Sequence, residues 1–166
     1  MNFNSKNIFL SILISTRPKQ WTKNLLIYLP LLFSVNESWQ FSEFSSLQLL
    51  FIKTTIAYIA FCMVTGAVYI INDLLDINHD KLHPVKSKRP IPSKSIGTKL
   101  AIISAIMLFI SGIIIAYFVN IKVLAAFLFY IGLMISYSKL LKHHLYIDII
   151  TISLGFVIRA LSGALA

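Results

Sequence analysis

Residues 100–119 form a run of twenty side chains without a single charge. At 1.5 Å per residue, a helix of that length covers about 30 Å, the hydrocarbon thickness of a bilayer. Inside lipid, each backbone N–H and C=O must find its partner within the protein, which leaves helices and closed barrels. Only 13% of the chain is charged, 57% is hydrophobic and the mean hydropathy is +0.80. A soluble domain carries about twice that share of charge, so the chain reads as an all-α integral membrane protein. The aromatic content excludes disorder, and a single cysteine, Cys62, excludes a disulfide framework or a cysteine-built zinc site.

Four more apolar runs accompany the first. Residues 47–71 are interrupted by Lys53, 123–137 are flanked by lysines, and 147–166 contain Asp148 and Arg159. Residues 25–33 are shorter, contain Pro30, and are extended by 21–24. The expectation is five transmembrane helices in one membrane domain spanning 1–166. Residues 8–14 are too short to cross, and Ser15-Thr16-Arg17-Pro18 follows them where a signal peptide would have a small-residue cleavage site. Residues 1–16 therefore read as an interfacial helix. No repeat, low-complexity tract or linker is visible.

The chain has 15 Lys+Arg against 6 Asp+Glu, a net charge of +9. Twelve of the fifteen cations fall in three regions that alternate between the spans: before the first, in 81–99, and between the fourth and fifth. The positive-inside rule puts these regions and the N-terminus in the cytoplasm, and the protein in the cell (inner) membrane. Nothing calls for a nucleic-acid partner.

Four of the six acids are aspartates on that side: Asp73, Asp76, Asp80 and Asp148. Asp73, Asp76 and Asp80 are spaced to share one helical face, which continues back through Tyr69, Gly66 and Cys62. Stacked carboxylates repel, and something must compensate them. Nearby lysines are one solution. A hard divalent cation is the favoured one, with Asn72, Asp73, Asp76 and Asp80 as oxygen ligands of Mg²⁺. His79 and His83 fit loop or phosphate hydrogen bonds better than a transition metal. The next segment, 83–92, carries three prolines, which stiffen it, together with Lys86, Lys88 and Arg89. Metal-binding carboxylates followed at once by a stiff cationic loop are what a diphosphate site requires. The segment 72–95 is thus the expected active-site loop.

In the last span Asp148, Gly155, Arg159 and Gly163 form one stripe. Asp148 and Arg159 lie about 16 Å apart along a helix axis, too far to pair with each other. A ligand contact and a structural bridge both remain open for Arg159, with the ligand reading ahead for Asp148.

Together these segments resemble a known family. Residues 72–80, NDLLDINHD, match the first aspartate-rich motif, NDxxDxxxD, of the UbiA membrane prenyltransferase superfamily. RPKQWTKN at 17–24, HPVKSKRPIP at 83–92, YSKLLK at 137–142 and IDIITISLGFVIRALSGA at 147–164 resemble its decaprenyl-phosphate phosphoribosyltransferase branch. The resemblance implies a helical bundle around a central cavity. It also implies Mg²⁺-dependent transfer of a 5-phosphoribosyl group from phosphoribosyl diphosphate to a polyprenyl phosphate, as in cell-envelope biosynthesis. Asp73, Asp76 and Asp148 would then be catalytic, and Lys23, Asn72, Lys86, Arg89, Tyr137, Lys142 and Arg159 would bind substrate. The alternatives are prenyl transfer to an aromatic acceptor and a non-catalytic transporter or assembly subunit. Members of this family are about twice as long, with a second aspartate-rich motif. The expectation is an N-terminal portion, inactive alone, completed by a missing C-terminal half or working as a homo-oligomer.

Overall fold

A computed structural model of the chain describes residues 5–40, 44–138 and 145–166. Helix α1 (Ser5–Ser15) leads into a 3-10 helix (Pro18–Tyr28) and a short α2 (Leu29–Phe33). Then come α3 (Phe44–Leu75), α4 (Ile77–Leu82), a 3-10 turn (Lys86–Lys88), α5 (Thr98–Val119), α6 (Ile121–Ser136) and α7 (Leu145–Ala164). Among the described residues, three helices are long and apolar enough to cross a membrane: Ser45–Leu75, Thr98–Val119 and Tyr146–Ala164. The fourth expected span, Ile121–Ser136, is a shorter apolar helix.

The expected first span departs from the α-helical reading. Pro30 has no N–H to give Leu26, and the Leu26 carbonyl accepts from Leu29 in the tighter 3-10 register. With a rise of about 2 Å per residue in the 3-10 part, residues 18–33 still extend about 30 Å. Three residues per turn align Trp21, Asn24 and Ile27. Asn24 and Ile27 are buried, while Lys23 beside them is exposed.

Helix α3 is the axis of the bundle and runs antiparallel to α5. Small buried residues of α5 (Ala101, Ala105, Gly112, Ala116) let the two backbones approach. A Cβ on Gly112 would lie 2.9 Å from the Ala60 carbonyl. Phe61 packs edge-on against Phe127 of α6, with centroids 4.9 Å apart. The outward faces are the apolar ones: Ile103, Ile106, Ile110 and Phe118 of α5, and Ile149, Ile150 and Val157 of α7, are exposed. Thr54, Thr65, Thr151 and Ser162 are buried. That polarity suits lipid as the solvent.

Helix α7 is fastened to the 3-10 helix at two points. A Cβ on Gly163 would fall 1.8 Å from the Ile27 carbonyl oxygen, so only glycine fits. One turn earlier, Arg159 donates from Nε to the Asn24 amide oxygen at 2.8 Å. Asn24 in turn donates to Thr65 (3.1 Å) and to the Cys62 sulfur (3.3 Å) on α3.

These contacts set two expectations, both read by thermal unfolding in detergent. Gly163→Ala overpacks against backbone and should destabilise by at least about 1–3 kcal/mol, whereas Gly132→Ala, with open space around it, should be neutral or stabilising. Asn24→Ala leaves Arg159 and Thr65 without their shared partner and should cost about 1–3 kcal/mol.

Candidate functional site

The aspartate-rich segment is a junction between two helices. Helix α3 ends at Leu75, Asp76 takes φ −94° and ψ 7°, and α4 begins at Ile77. Part of the segment 72–95, expected as one loop, is thus helical, and the helical face expected for Asp73, Asp76 and Asp80 is interrupted at Asp76. The four-residue hydrogen-bond step survives the junction (Asp76 N–H to the Asn72 carbonyl, Asp80 N–H to the Asp76 carbonyl). Asp73 and Asp80 are therefore buried on one side, 1% and 2% exposed, while Asn72 and Asp76 are half-buried. Among the described residues, no three His, Cys, Asp or Glu side chains gather as a metal-binding group.

Asp73 and Asp80 converge instead on one nitrogen. Arg89 Nη1 donates to Asp73 Oδ1 at 3.1 Å and to Asp80 Oδ2 at 2.9 Å. Lys86 Nζ stands 3.6 Å from Asp80 Oδ1. Arg17 Nη2 also donates to Asp73 Oδ1. The compensating charge is cationic side chains from two other parts of the chain. Each aspartate side chain is almost inaccessible, while Arg17, Arg89 and Lys86 remain 26%, 30% and 44% exposed.

The loop that carries Arg89 is locked at both ends. His83 Nδ1 accepts from the N–H groups of Val85 (3.1 Å) and Lys86 (3.2 Å), the loop role expected for it. Beyond Arg89, Ile91 and Ile96 are buried against Ala67, Ile70, Ala101 and Ala105. The Ile96 N–H closes back on the Pro90 carbonyl at 3.1 Å. Anchored this way, the loop holds Arg89 over the carboxylates.

Arg17 is the residue that sequence reasoning missed. It joins α1 to the 3-10 helix in the left-handed conformation (φ 54°, ψ 65°), uncommon for a side chain of its size. Its guanidinium lies 4.7 Å from the Tyr69 ring centroid. Beside it opens a cavity of about 760 Å³, lined by Arg17, Lys19, Lys88 and Arg89 with Asp73.

The remaining candidates form two other groups. Tyr137 donates to Asp148 Oδ1 at 2.5 Å, joining the end of α6 to the start of α7. Asp76 is close enough to Tyr137 to act on it electrostatically, so this pair stands at the same end of the bundle as the aspartates. Arg159 is apart from both. It is 6% exposed and reaches the Gly155 carbonyl (2.6 Å), the Tyr130 hydroxyl (3.3 Å) and Asn24, within about 5.5 Å of the Phe61, Tyr130 and Phe156 ring centroids. None of these hydrogen-bond partners is anionic, and Asp148 is not among them. Lys142 lies outside the described residues, and no contact joins Lys23 to the aspartate cluster among them.

The donor set at Asp73 and Asp80 fits a hard divalent cation. Two carboxylates already close on one cationic nitrogen, and Mg²⁺ needs only one or two carboxylates when phosphate and water complete its shell.

The sequence profile of the UbiA prenyltransferase family matches residues 28–166. A decaprenyl-phosphate phosphoribosyltransferase of Mycolicibacterium smegmatis is 30% identical over 161 residues, 97% of this chain and 49% of that protein. One from Corynebacterium glutamicum is 32% identical over 164 residues, 97% of this chain and 47% of that protein. A digeranylgeranylglyceryl phosphate synthase of Sulfurisphaera tokodaii is 32% identical over 115 residues, 69% of this chain and 41% of that protein. The chain spans about half the length of the phosphoribosyltransferases it matches. With its helical bundle, outward apolar faces and aspartate-rich helix end, this multi-pass membrane chain belongs to the UbiA prenyltransferase family.

Proposed function

We propose that the chain carries the donor diphosphate site of a pentosyltransferase. The enzyme moves a 5-phosphoribosyl group from phosphoribosyl diphosphate to a polyprenyl phosphate at the cytoplasmic membrane face. The observation that carries this reading is the convergence of Asp73 and Asp80 on Arg89 Nη1, with Arg17 and Lys86 on the same carboxylates. The names of the relatives supply the substrates.

Asp73 and Asp80 would hold Mg²⁺, with Asn72 and Asp76 as adjacent oxygen donors. Bound there, the ion would offset diphosphate charge and stabilise the departing group. Lys86 and Arg89 donate to the diphosphate oxygens, a stabilisation that grows as negative charge develops on them. The bond from ribose C1 to the diphosphate oxygen breaks, and the electron pair leaves with diphosphate. An oxygen of the lipid phosphate forms the new bond to C1. Tyr137, oriented by Asp148, supplies a polar contact at the same end of the bundle, and Lys23 and Lys142 add cationic charge for the second anionic reactant. Arg159 lies apart from these groups, buried against Asn24, Gly155 and Tyr130.

A second reading follows from the prenyltransferase description of the family: the same residues would hold a polyprenyl diphosphate, and the prenyl group would move to an aromatic or other acceptor.

Binding to the chain in nanodiscs separates the two. Phosphoribosyl diphosphate should bind in a Mg²⁺-dependent way and a polyprenyl diphosphate should not; the reverse preference favours prenyl transfer. Asp73→Asn should abolish the Mg²⁺ dependence, and Arg89→Gln should weaken binding about 10- to 100-fold, the worth of one or two charge-assisted hydrogen bonds. Unchanged Mg²⁺-dependent binding in both variants would leave only the non-catalytic alternative.

Orientation has its own test. Cys62 is buried and is the only cysteine, so Ser95→Cys adds one exposed thiol in the loop that follows Arg89. A membrane-impermeant maleimide should label that thiol in inside-out vesicles and not in intact cells.

A further inference from the structure

Asp73 Oδ1 accepts from two guanidinium groups, Arg17 and Arg89, and they arrive differently. Arg89 sits on a loop anchored by Ile91 and Ile96 and spans both aspartates. Arg17 sits at a left-handed junction between two helices, and its hydrogen bond to the cluster goes to Asp73 alone. Its guanidinium also lies over the face of Tyr69, a contact that steadies it without fixing one rotamer. Beside it is the 760 Å³ cavity, whose other cations are Lys19, Lys88 and Arg89. Ile14 and Val85 contribute apolar lining. Cations beside apolar side chains suit a phosphate on an organic or lipid body.

We propose that Arg17 is a latch on the metal-binding carboxylates. It holds Asp73 while the site is free of ligand. It exchanges that partner for a phosphate oxygen in the adjacent cavity when a divalent cation takes Asp73. The inference rests on the metal reading of Asp73 and Asp80 given above. Arg17 is on this account a positioning residue toward the metal and a binding residue toward the phosphate. The two roles have opposite signs. Removing Arg17 takes away one of the two guanidiniums on Asp73, leaving Arg89, and strengthens metal binding in the absence of anion, yet it removes a phosphate contact once the metal is in place. A purely structural arginine would weaken both or neither.

The test is Mn²⁺ binding to the full chain in nanodiscs of neutral lipid, followed by electron paramagnetic resonance. Arg17→Gln should bind Mn²⁺ alone about tenfold more tightly, as when a latch closed nine-tenths of the time is removed. In saturating Mn²⁺ the same variant should lose about tenfold in affinity for phosphoribosyl diphosphate or for farnesyl phosphate, and the one weakened identifies the source of the phosphate. Tyr69→Leu, which keeps all charges and loosens the guanidinium, should tighten Mn²⁺ by a smaller factor. It serves if Arg17→Gln does not fold. Lys53→Gln, about 30 Å away along α3, removes the same charge and should leave Mn²⁺ affinity unchanged. Mn²⁺ binding by the unsubstituted chain that is not tightened in either Arg17→Gln or Tyr69→Leu overturns the latch and leaves the metal site standing. Unweakened affinity for both phosphates overturns the exchange. No Mn²⁺ binding by any form overturns the latch and the metal reading together.

Discussion

The Asp73 carboxylate is the point on which the architecture at this end of the bundle depends. A carboxylate 1% exposed at the end of a membrane-spanning helix loses several kcal/mol of hydration. Two guanidinium groups replace it. Their positions bind three distant stretches of chain to one oxygen: the α1 junction, the end of α3, and the loop before α5. The direction of α1, the packing of Ile91 and Ile96, and the shape of the cationic cavity all have to be compatible with that convergence. Such a cluster is costly to form and costlier to leave half-formed, since losing one partner strands charge in a place where water is scarce.

Arg159 is the complementary arrangement deeper in the bundle. Here the buried charge is a cation, and what surrounds it is an amide, a carbonyl, a phenol and the faces of three rings. Neutral dipoles and ring quadrupoles stabilise the guanidinium without cancelling it, so the charge remains felt at a distance. A carboxylate partner would have neutralised it. The same hydrogen bonds give Arg159 a structural task, because Asn24 ties α7 to the 3-10 helix and, through Thr65 and Cys62, to α3. The ligand and structural readings of this residue are not exclusive. Tyr137 and Asp148 differ from it: their bond joins only the end of α6 to the start of α7.

Much of this was legible in the amino-acid order, for physical reasons that differ element by element. Apolar run length marked α3, α5, α6 and α7, because lipid makes hydrophobicity and span length the same constraint. The alternation of cations gave the end of the bundle on which Asp73, Asp80, Lys86 and Arg89 meet. The helix junction at Asp76 was not legible, since periodicity alone cannot see a one-residue change of backbone angle. Pro30 announced trouble in the first span, but not that the chain would answer with eleven residues of 3-10 helix. Arg17 was invisible for another reason. Its partner is 56 residues away, and in sequence it stands among the basic and aromatic residues of an ordinary interfacial belt. Asn24 gave a fainter signal, a single amide just before an apolar run.

The charge balance at the aspartate cluster narrows what can occupy it. Asp73 and Asp80 already face Arg17, Arg89 and Lys86, and Lys19 and Lys88 extend the positive surface into the cavity. Adding a divalent cation alone would leave that region strongly positive and set the ion against the guanidiniums. Adding an anion alone would set it against two carboxylates. A ligand that brings both, a divalent cation together with more negative charge than the ion offsets, satisfies the aspartates and the arginines at once. On the proposed reading, a diphosphate would bring that charge.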